Sequence, residues 1–248
     1  MIRRTAIPAL ALLMLPLLSQ AAEDYSKVKA QLTRSFPQLS TAVVKSSPVP
    51  GMLRVEFGEE IGYVTSDGKY LFLGELIEVA THKNLNSAVP TEQGKQVVRE
   101  IEELGEANMI VMGPKNAKRT MNVFTDVDCP YCARLHQDVP ELNRHGVKVR
   151  YLLFPRNGLD SNTYKKSVAV WCASDRVKTV GIAKAGGKVD MKTCANPVEK
   201  HYRLGEKFGV QGTPTIYLDN GQRLGGYAPV DRMLSVLDIK PEPRAAAN

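Results

Sequence analysis

The sequence predicts an α+β protein: a small N-terminal α+β domain, a linker helix, and a C-terminal domain in which strand, helix and strand lead through a helical insert to a hairpin and a closing helix. Three observations predict it. Short strand-like runs with a strong turn crowd residues 52–73. A charged run over residues 93–108, with apolar residues at helical spacing, separates them from the rest. Beyond it, Cys129-Pro130-Tyr131-Cys132 stands between an apolar strand and an amphipathic helix.

The N-terminus has the pattern of a secretory leader. Arg3 and Arg4 precede an apolar stretch over residues 6–18, and Ser19-Gln20-Ala21 forms a small-x-small cleavage site. The stretch falls short of the ~20 residues that a spanning helix requires and is interrupted by Pro8 and Pro16. The expected mature chain begins at Ala22, with no membrane anchor, in an oxidising space of the bacterial periplasmic type. The 248 residues carry a formal net charge of +7, and loss of Arg3 and Arg4 with the leader lowers it by two. This excess is spread along the chain and only 6% of residues are aromatic, so nothing marks a nucleic-acid surface.

Residues 24–36 place Val28 and Leu32 at helical spacing. Residues 52–57 and 61–65 read as strands, Ser66-Asp67-Gly68-Lys69 as a hairpin turn into residues 70–73, and residues 76–80 as a further strand. A small sheet with one helix buries little surface, which makes residues 22–88 a candidate oligomerisation domain. Residues 84–90 are polar and break the pattern. The helix over 93–108 carries Val97, Val98, Ile101 and Leu104; it reads either as a linker solvated on most sides or as the first helix of the next domain, because periodicity does not say what the stripe faces. The divisions expected are a leader at 1–21, the N-terminal domain at 22–88, the linker helix at 89–108, the catalytic domain at 109–241 and a flexible tail at 242–248.

In the second domain residues 121–125 form a strand, the C-x-x-C opens a helix that stops near Gly146, and residues 147–154 form the next strand. A long helical insert covers about 160–204. Residues 215–218 then turn through Asp219-Asn220-Gly221 into 222–226, and a helix over 230–237 closes the domain. This is the thioredoxin arrangement.

The helix start leaves unpaired N–H groups and partial positive charge beside Cys129, which favours thiolate, so Cys129 is the expected nucleophile. Pro130 fits the first helical turn, where its missing N–H costs nothing. Cys132, a turn further in, is the resolving thiol. A zinc knuckle needs four ligands, and no second C-x-x-C or H-x-x-x-H completes a set. Gly212-Thr213-Pro214-Thr215 is a second constellation. A proline heading a buried strand often marks a special turn or a cis bond, and the free backbone of Thr213 there could pair with an extended substrate; alternatively Pro214 merely begins an edge strand. With Cys129 and Cys132 paired, Cys172 and Cys194 remain for a structural bridge, worth ~3 kcal/mol by loop closure. His136 is expected to face solvent on its helix, His82, His145 and His201 occur singly, and Trp171 reads as packing around the bridge.

The runs Phe124-Thr125-Asp126-Val127-Asp128-Cys129-Pro130-Tyr131-Cys132, Arg150-Tyr151-Leu152-Leu153-Phe154-Pro155-Arg156, Gly158-Leu159-Asp160-Ser161, Trp171-Cys172-Ala173 and Gly209-Val210-Gln211-Gly212-Thr213-Pro214 resemble the DsbC/DsbG family of periplasmic thiol:disulfide interchange proteins. The resemblance implies a homodimeric disulfide isomerase. Its N-terminal domains would pair, and linker helices would splay two thioredoxin-like domains around a cleft that holds misfolded, disulfide-containing secreted proteins. A membrane electron carrier of the DsbD type would keep the dithiol reduced, and no cofactor or metal is implied. By position, Cys129 would attack, Cys132 resolve, Pro214 be the cis-proline and Cys172–Cys194 the structural bridge, with Pro130, Tyr131 and Thr213 tuning the site or meeting substrate. Pro130 departs from the glycine common in DsbC relatives and resembles DsbG, a narrower reductase and chaperone; the Cys172 and Cys194 pair favours DsbC. A buried carboxylate precedes the first cysteine by six positions in thioredoxins. That position is Val123 here, which leaves the proton acceptor for Cys132 unassigned.

Overall fold

The structure, a computed structural model, describes residues 25–58, 60–80, 83–86 and 90–240; the leader and the tail expected at 242–248 lie outside them. Helix α1 (Ser26–Ser35) lays Leu32 on a four-stranded antiparallel sheet of β1 (Val43–Ser46), β2 (Met52–Phe57), β3 (Glu60–Thr65) and β4 (Leu71–Phe72), joined in chain order. Gly68 takes φ +73° in the turn between β3 and β4, where a side chain would be strained. The core of this unit is Leu32, Leu39, Ala42, Leu53, Val55 and Val64, a small set for a free-standing domain. The sequence reading missed β1, whose Val43 and Val44 are too few to show a period. The strand expected over 76–80 shrinks to β5 (Ile77–Glu78), paired with β6 (Lys83–Asn84) apart from the main sheet.

Helix α2 (Glu92–Leu104) is capped by Thr91, whose hydroxyl accepts from the Gly94 amide at 2.9 Å. Its stripe is not solvated: Val97, Val98 and Ile101 are buried with Met109, Phe124, Leu152, Phe208 and Tyr217. The helix therefore roofs the second sheet. The approach is close enough that a Cβ on Gly94 would lie 2.0 Å from the Gly221 carbonyl oxygen. Gly94→Ala should accordingly destabilise the protein by about 2 kcal/mol, overpacking outweighing the ~1 kcal/mol that alanine gains in helix propensity. Denaturant midpoints of the two proteins check the sign; an unchanged or raised midpoint would refute it.

The second sheet adds β7 (Ile110–Met112), β8 (Arg119–Thr125), helix α3 (Pro130–Arg144) and β9 (Val147–Leu153). The insert follows as three separate helices, α4 (Asn162–Trp171), α5 (Arg176–Lys184) and α6 (Val198–Lys207), and β10 (Thr215–Leu218), β11 (Arg223–Leu224) and α7 (Val230–Val236) close the chain. The strand order is β11-β10-β8-β9-β7, with β8 and β9 parallel and the other pairs antiparallel. Strand alternation divides the core in two. Met121, Val123, Val149, Tyr151 and Leu153 meet Leu135, Val139, Val168 and Met233 from the helices on one face. Phe124, Leu152 and Tyr217 meet α2 and the end of α6 on the other. β10 lies inside the sheet between β11 and β8, so Pro214 heads an interior strand rather than an edge.

Candidate active site

β8 delivers the chain to the start of α3, and Cys129 is the N-cap of that helix. Its sulfur accepts from the Cys132 amide at 3.4 Å, and Pro130 occupies the first turn. A sulfur acceptor at a helix N-terminus satisfies a donor the helix leaves open and sits in its positive field. The Cys129 thiol donates to the Thr213 carbonyl at 3.2 Å, across a peptide from Thr213 to Pro214 that is cis. The structure thus brings Cys129, Pro130, Tyr131, Cys132, Thr213 and Pro214 into one locus. Tyr131 is 57% exposed at its rim, with the Arg134 guanidinium 5.5 Å from its ring centre. Both cysteines are free thiols and both are buried.

Their environments push the two thiols apart. Burial raises the Cys129 pKa, but hydrogen bonding from the Thr213 side chain and from the Cys132 amide and thiol, together with the charge of Arg156, outweighs it and holds the thiol below its ordinary value. At Cys132 burial wins and the pKa is raised, although the charge of Lys184 and hydrogen bonding with Thr125, the Asp126 backbone and Thr213 pull it down. Cys129 therefore ionises more readily than an ordinary thiol, while Cys132 holds its proton more tightly.

Several groups that shape this pair escaped the sequence reading. Asp126, 1% exposed, accepts from the Arg156 amide and Nε, each at 3.0 Å, and from the Asp128 amide at 2.7 Å. Arg156 thereby reaches the dithiol from the far end of β9. The position six before Cys129 is filled by Val123, wholly buried in the core, and no carboxylate stands in it. The charge behind Cys132 comes instead from Lys184 on α5, whose Nζ donates to Thr125 Oγ1 at 2.7 Å and to the Asp126 carbonyl at 3.1 Å. His136 does not face solvent as expected: it is half-buried, and its Nδ1 lies 3.3 Å from the Tyr151 hydroxyl. In the sequence Lys184 is one of three basic residues on its helix, with Arg176 and Lys178, and nothing local singles it out.

Cys172 and Cys194 are joined, with Cα atoms 5.8 Å apart, and the bridge ties the end of α4 to the loop before α6. Beside it Trp171 is buried, with Arg176 stacked 3.7 Å from its ring centre and His201 edge-on. Among the described residues no group of His, Cys, Asp or Glu side chains is placed to hold a metal ion.

A thioredoxin-like sheet with a dithiol at a helix start and a cis-proline opposite defines a thiol–disulfide exchange protein. The comparisons agree: residues 106–239 match the thioredoxin-like domain family, and residues 19–87 match the disulfide bond isomerase protein N-terminal domain. The chain is 37% identical over 228 residues to the thiol:disulfide interchange protein DsbC of Dickeya dadantii, covering 92% of each. It is 38% identical to DsbC of Haemophilus influenzae, covering 89% of this chain and 93% of that one, and 36% identical to DsbC of Escherichia coli, covering 84% and 86%. The chain belongs to the DsbC family of thiol:disulfide interchange enzymes.

Proposed function

We propose that this chain is a periplasmic disulfide isomerase and reductase that corrects wrong disulfides in secreted proteins, with Cys129 as attacking and Cys132 as resolving thiol. The observation that carries the reading is Cys129 Sγ as N-cap of α3 beside the Thr213 carbonyl. The Cys129 thiolate attacks one sulfur of a substrate disulfide, a mixed disulfide forms, and the other substrate sulfur leaves as thiolate. A substrate thiolate then displaces Cys129 and a rearranged bond remains, or Cys132 displaces the substrate and reduction is complete. After reduction the Cys129–Cys132 disulfide takes two electrons from a membrane carrier of the DsbD type. A leader at 1–21 and the Cys172–Cys194 bridge support an oxidising compartment. Among the described residues no helix is long and apolar enough to cross a membrane.

The N-terminal unit supports a homodimer. Tyr70, Phe72, Leu73, Ile77 and Val79 are all exposed, between 44% and 84%, along and just beyond β4, the open edge of the sheet. An apolar open edge pairs readily with its own copy. Two facing sites would hold a misfolded client while one thiolate attacks, which also supports a chaperone role. Pro130 and the exposed Tyr131 favour, as a second reading, a narrower DsbG-like reductase and holdase. Refolding scrambled ribonuclease with the reduced protein separates them. Recovery of activity, lost together with the dimer when Phe72 and Leu73 are replaced by Asp, is expected for the isomerase. Suppressed aggregation without recovery would leave the holdase, and rapid oxidation of reduced ribonuclease without recovery would mark an oxidase.

A further inference from the structure

Lys184 is a buried cation, and among the described residues no carboxylate is hydrogen-bonded to it. It is 8% exposed, and its two hydrogen bonds go to a hydroxyl, Thr125 Oγ1, and a backbone carbonyl, that of Asp126. Burying an ammonium is costly unless something in the site gains from the charge. Both groups that Lys184 holds belong to the segment that contacts the Cys132 thiol. Thr125 has one proton; with its oxygen accepting from Lys184, that proton is free to point at Cys132 Sγ.

We propose that Lys184, acting through Thr125, is the positioning residue for the resolving step, orienting the Thr125 hydroxyl toward Cys132 Sγ and compensating the negative charge as that thiol ionises. In the step itself Cys132 gives up its proton and its sulfur attacks Cys129 Sγ. The Cys129–Cys132 bond forms as the bond from Cys129 to the substrate breaks. The departing substrate sulfur carries the electron pair and takes up a proton, so the dithiol is oxidised and the substrate reduced, while Lys184 keeps its protons throughout. Thr125 is part of β8 and Lys184 ends α5, so the helical insert supplies from outside the strand–helix–strand unit the charge that Val123 does not.

Burial lowers the Lys184 pKa, and the negative charges around it, those of ionised Cys132 and Cys129 and of Asp126 and Asp128, oppose that shift and favour the cation. Asp126 is paired with Arg156, and Asp128 with Lys166 on α4. Tyr151 on β9 lies under the ammonium, with its ring centre 5.2 Å from Nζ, and burial keeps its hydroxyl protonated. His136 on α3 is disfavoured as a cation by burial and by Lys184 itself. The nearby groups that change charge during turnover are therefore the two thiols.

The inference rests on the roles given to Cys129 and Cys132, and one measurement separates the two levels. A chromogenic aromatic disulfide added to the reduced protein releases one equivalent of thiolate when Cys129 attacks and a second when Cys132 resolves. Stopped-flow traces from pH 5 to 10 give a profile for each phase. In Lys184→Met the second phase should slow about tenfold at pH 7 and its midpoint should rise by about one pH unit, a unit being a tenfold change in thiolate fraction. The first phase should change much less. Thr125→Val should reproduce the defect and Thr125→Ser should restore most of the rate, which tests the relay should Lys184→Met fail to fold. A second phase unchanged in Thr125→Val, or both phases slowed alike, would overturn the proposal. Release of no first equivalent by the native protein would overturn the thiol roles themselves.

Discussion

Replacing Cys129 with Ser should reduce thiol–disulfide exchange to the level of buffer alone, and replacing Cys132 should not. The asymmetry follows from the opposite displacement of the two thiols. Cys129 is held below the ordinary thiol range by its contacts and by Arg156, whereas burial holds Cys132 above it. The thiolate is the nucleophile, and Cys132 both holds its proton more tightly and lies wholly buried, so it is a poor substitute for Cys129 in the attack. In Cys132→Ser the attack persists but the internal exit is closed. That variant should accumulate mixed disulfides with its clients, resolved only by an added thiol or by the client's own thiolate. Insulin reduction followed by turbidity, with non-reducing mass spectrometry of the trapped species, checks both halves. Appreciable insulin reduction by Cys129→Ser would refute the assignment of the nucleophile.

The second large effect lies away from the dithiol, at His201 on α6. Its ring is fully buried, Nδ1 accepts from the Leu153 amide at 3.0 Å, and Nε2 donates to the Asn108 carbonyl at 2.7 Å. This single tautomer pins the insert to β9 and to the segment entering the sheet. Burial lowers its pKa from 6.5 to about 4 against the opposing pull of the Asn108 carbonyl. Between those values the unfolded chain binds a proton that the folded chain refuses. The contribution is intact above pH 6.5 and declines as pH falls, amounting to a loss of about 3 kcal/mol once pH is below 4. Urea titrations between pH 4 and 7 should show a progressive fall in midpoint that His201→Gln lacks, from a lower starting stability because two buried backbone groups lose their partner. Equal pH slopes in the two proteins would remove His201 as the cause.

The features legible in the sequence are those encoded in contiguous residues. A proline just inside a helix start, a cysteine at the cap and a second one a turn later write the local geometry of the dithiol into four positions. The run of apolar and β-preferring residues in β8 and the Ser66–Lys69 turn are likewise short-range. Two of the strands that the sequence does not reveal, β1 and β7, have four and three residues. Such lengths show no period, and both owe their existence to partners, β2 and β9, that complete their hydrogen bonds. Helix α2 was legible as a helix, but the direction of its stripe was not, because an amphipathic pattern says that one face is buried and is silent on what buries it.

By itself, then, the sequence determined the chemistry on offer: a capped C-x-x-C, a proline at the head of a strand, and two further cysteines for a bridge. Tertiary structure decided how reactive each sulfur is. The Thr213 carbonyl meets Cys129 across 84 positions, Lys184 reaches Thr125 across 59, and Arg156 reaches Asp126 across 30. Proton affinity depends on burial and on charges a few ångströms away. Those quantities exist only after the sheet has ordered its strands and the insert has closed over α3.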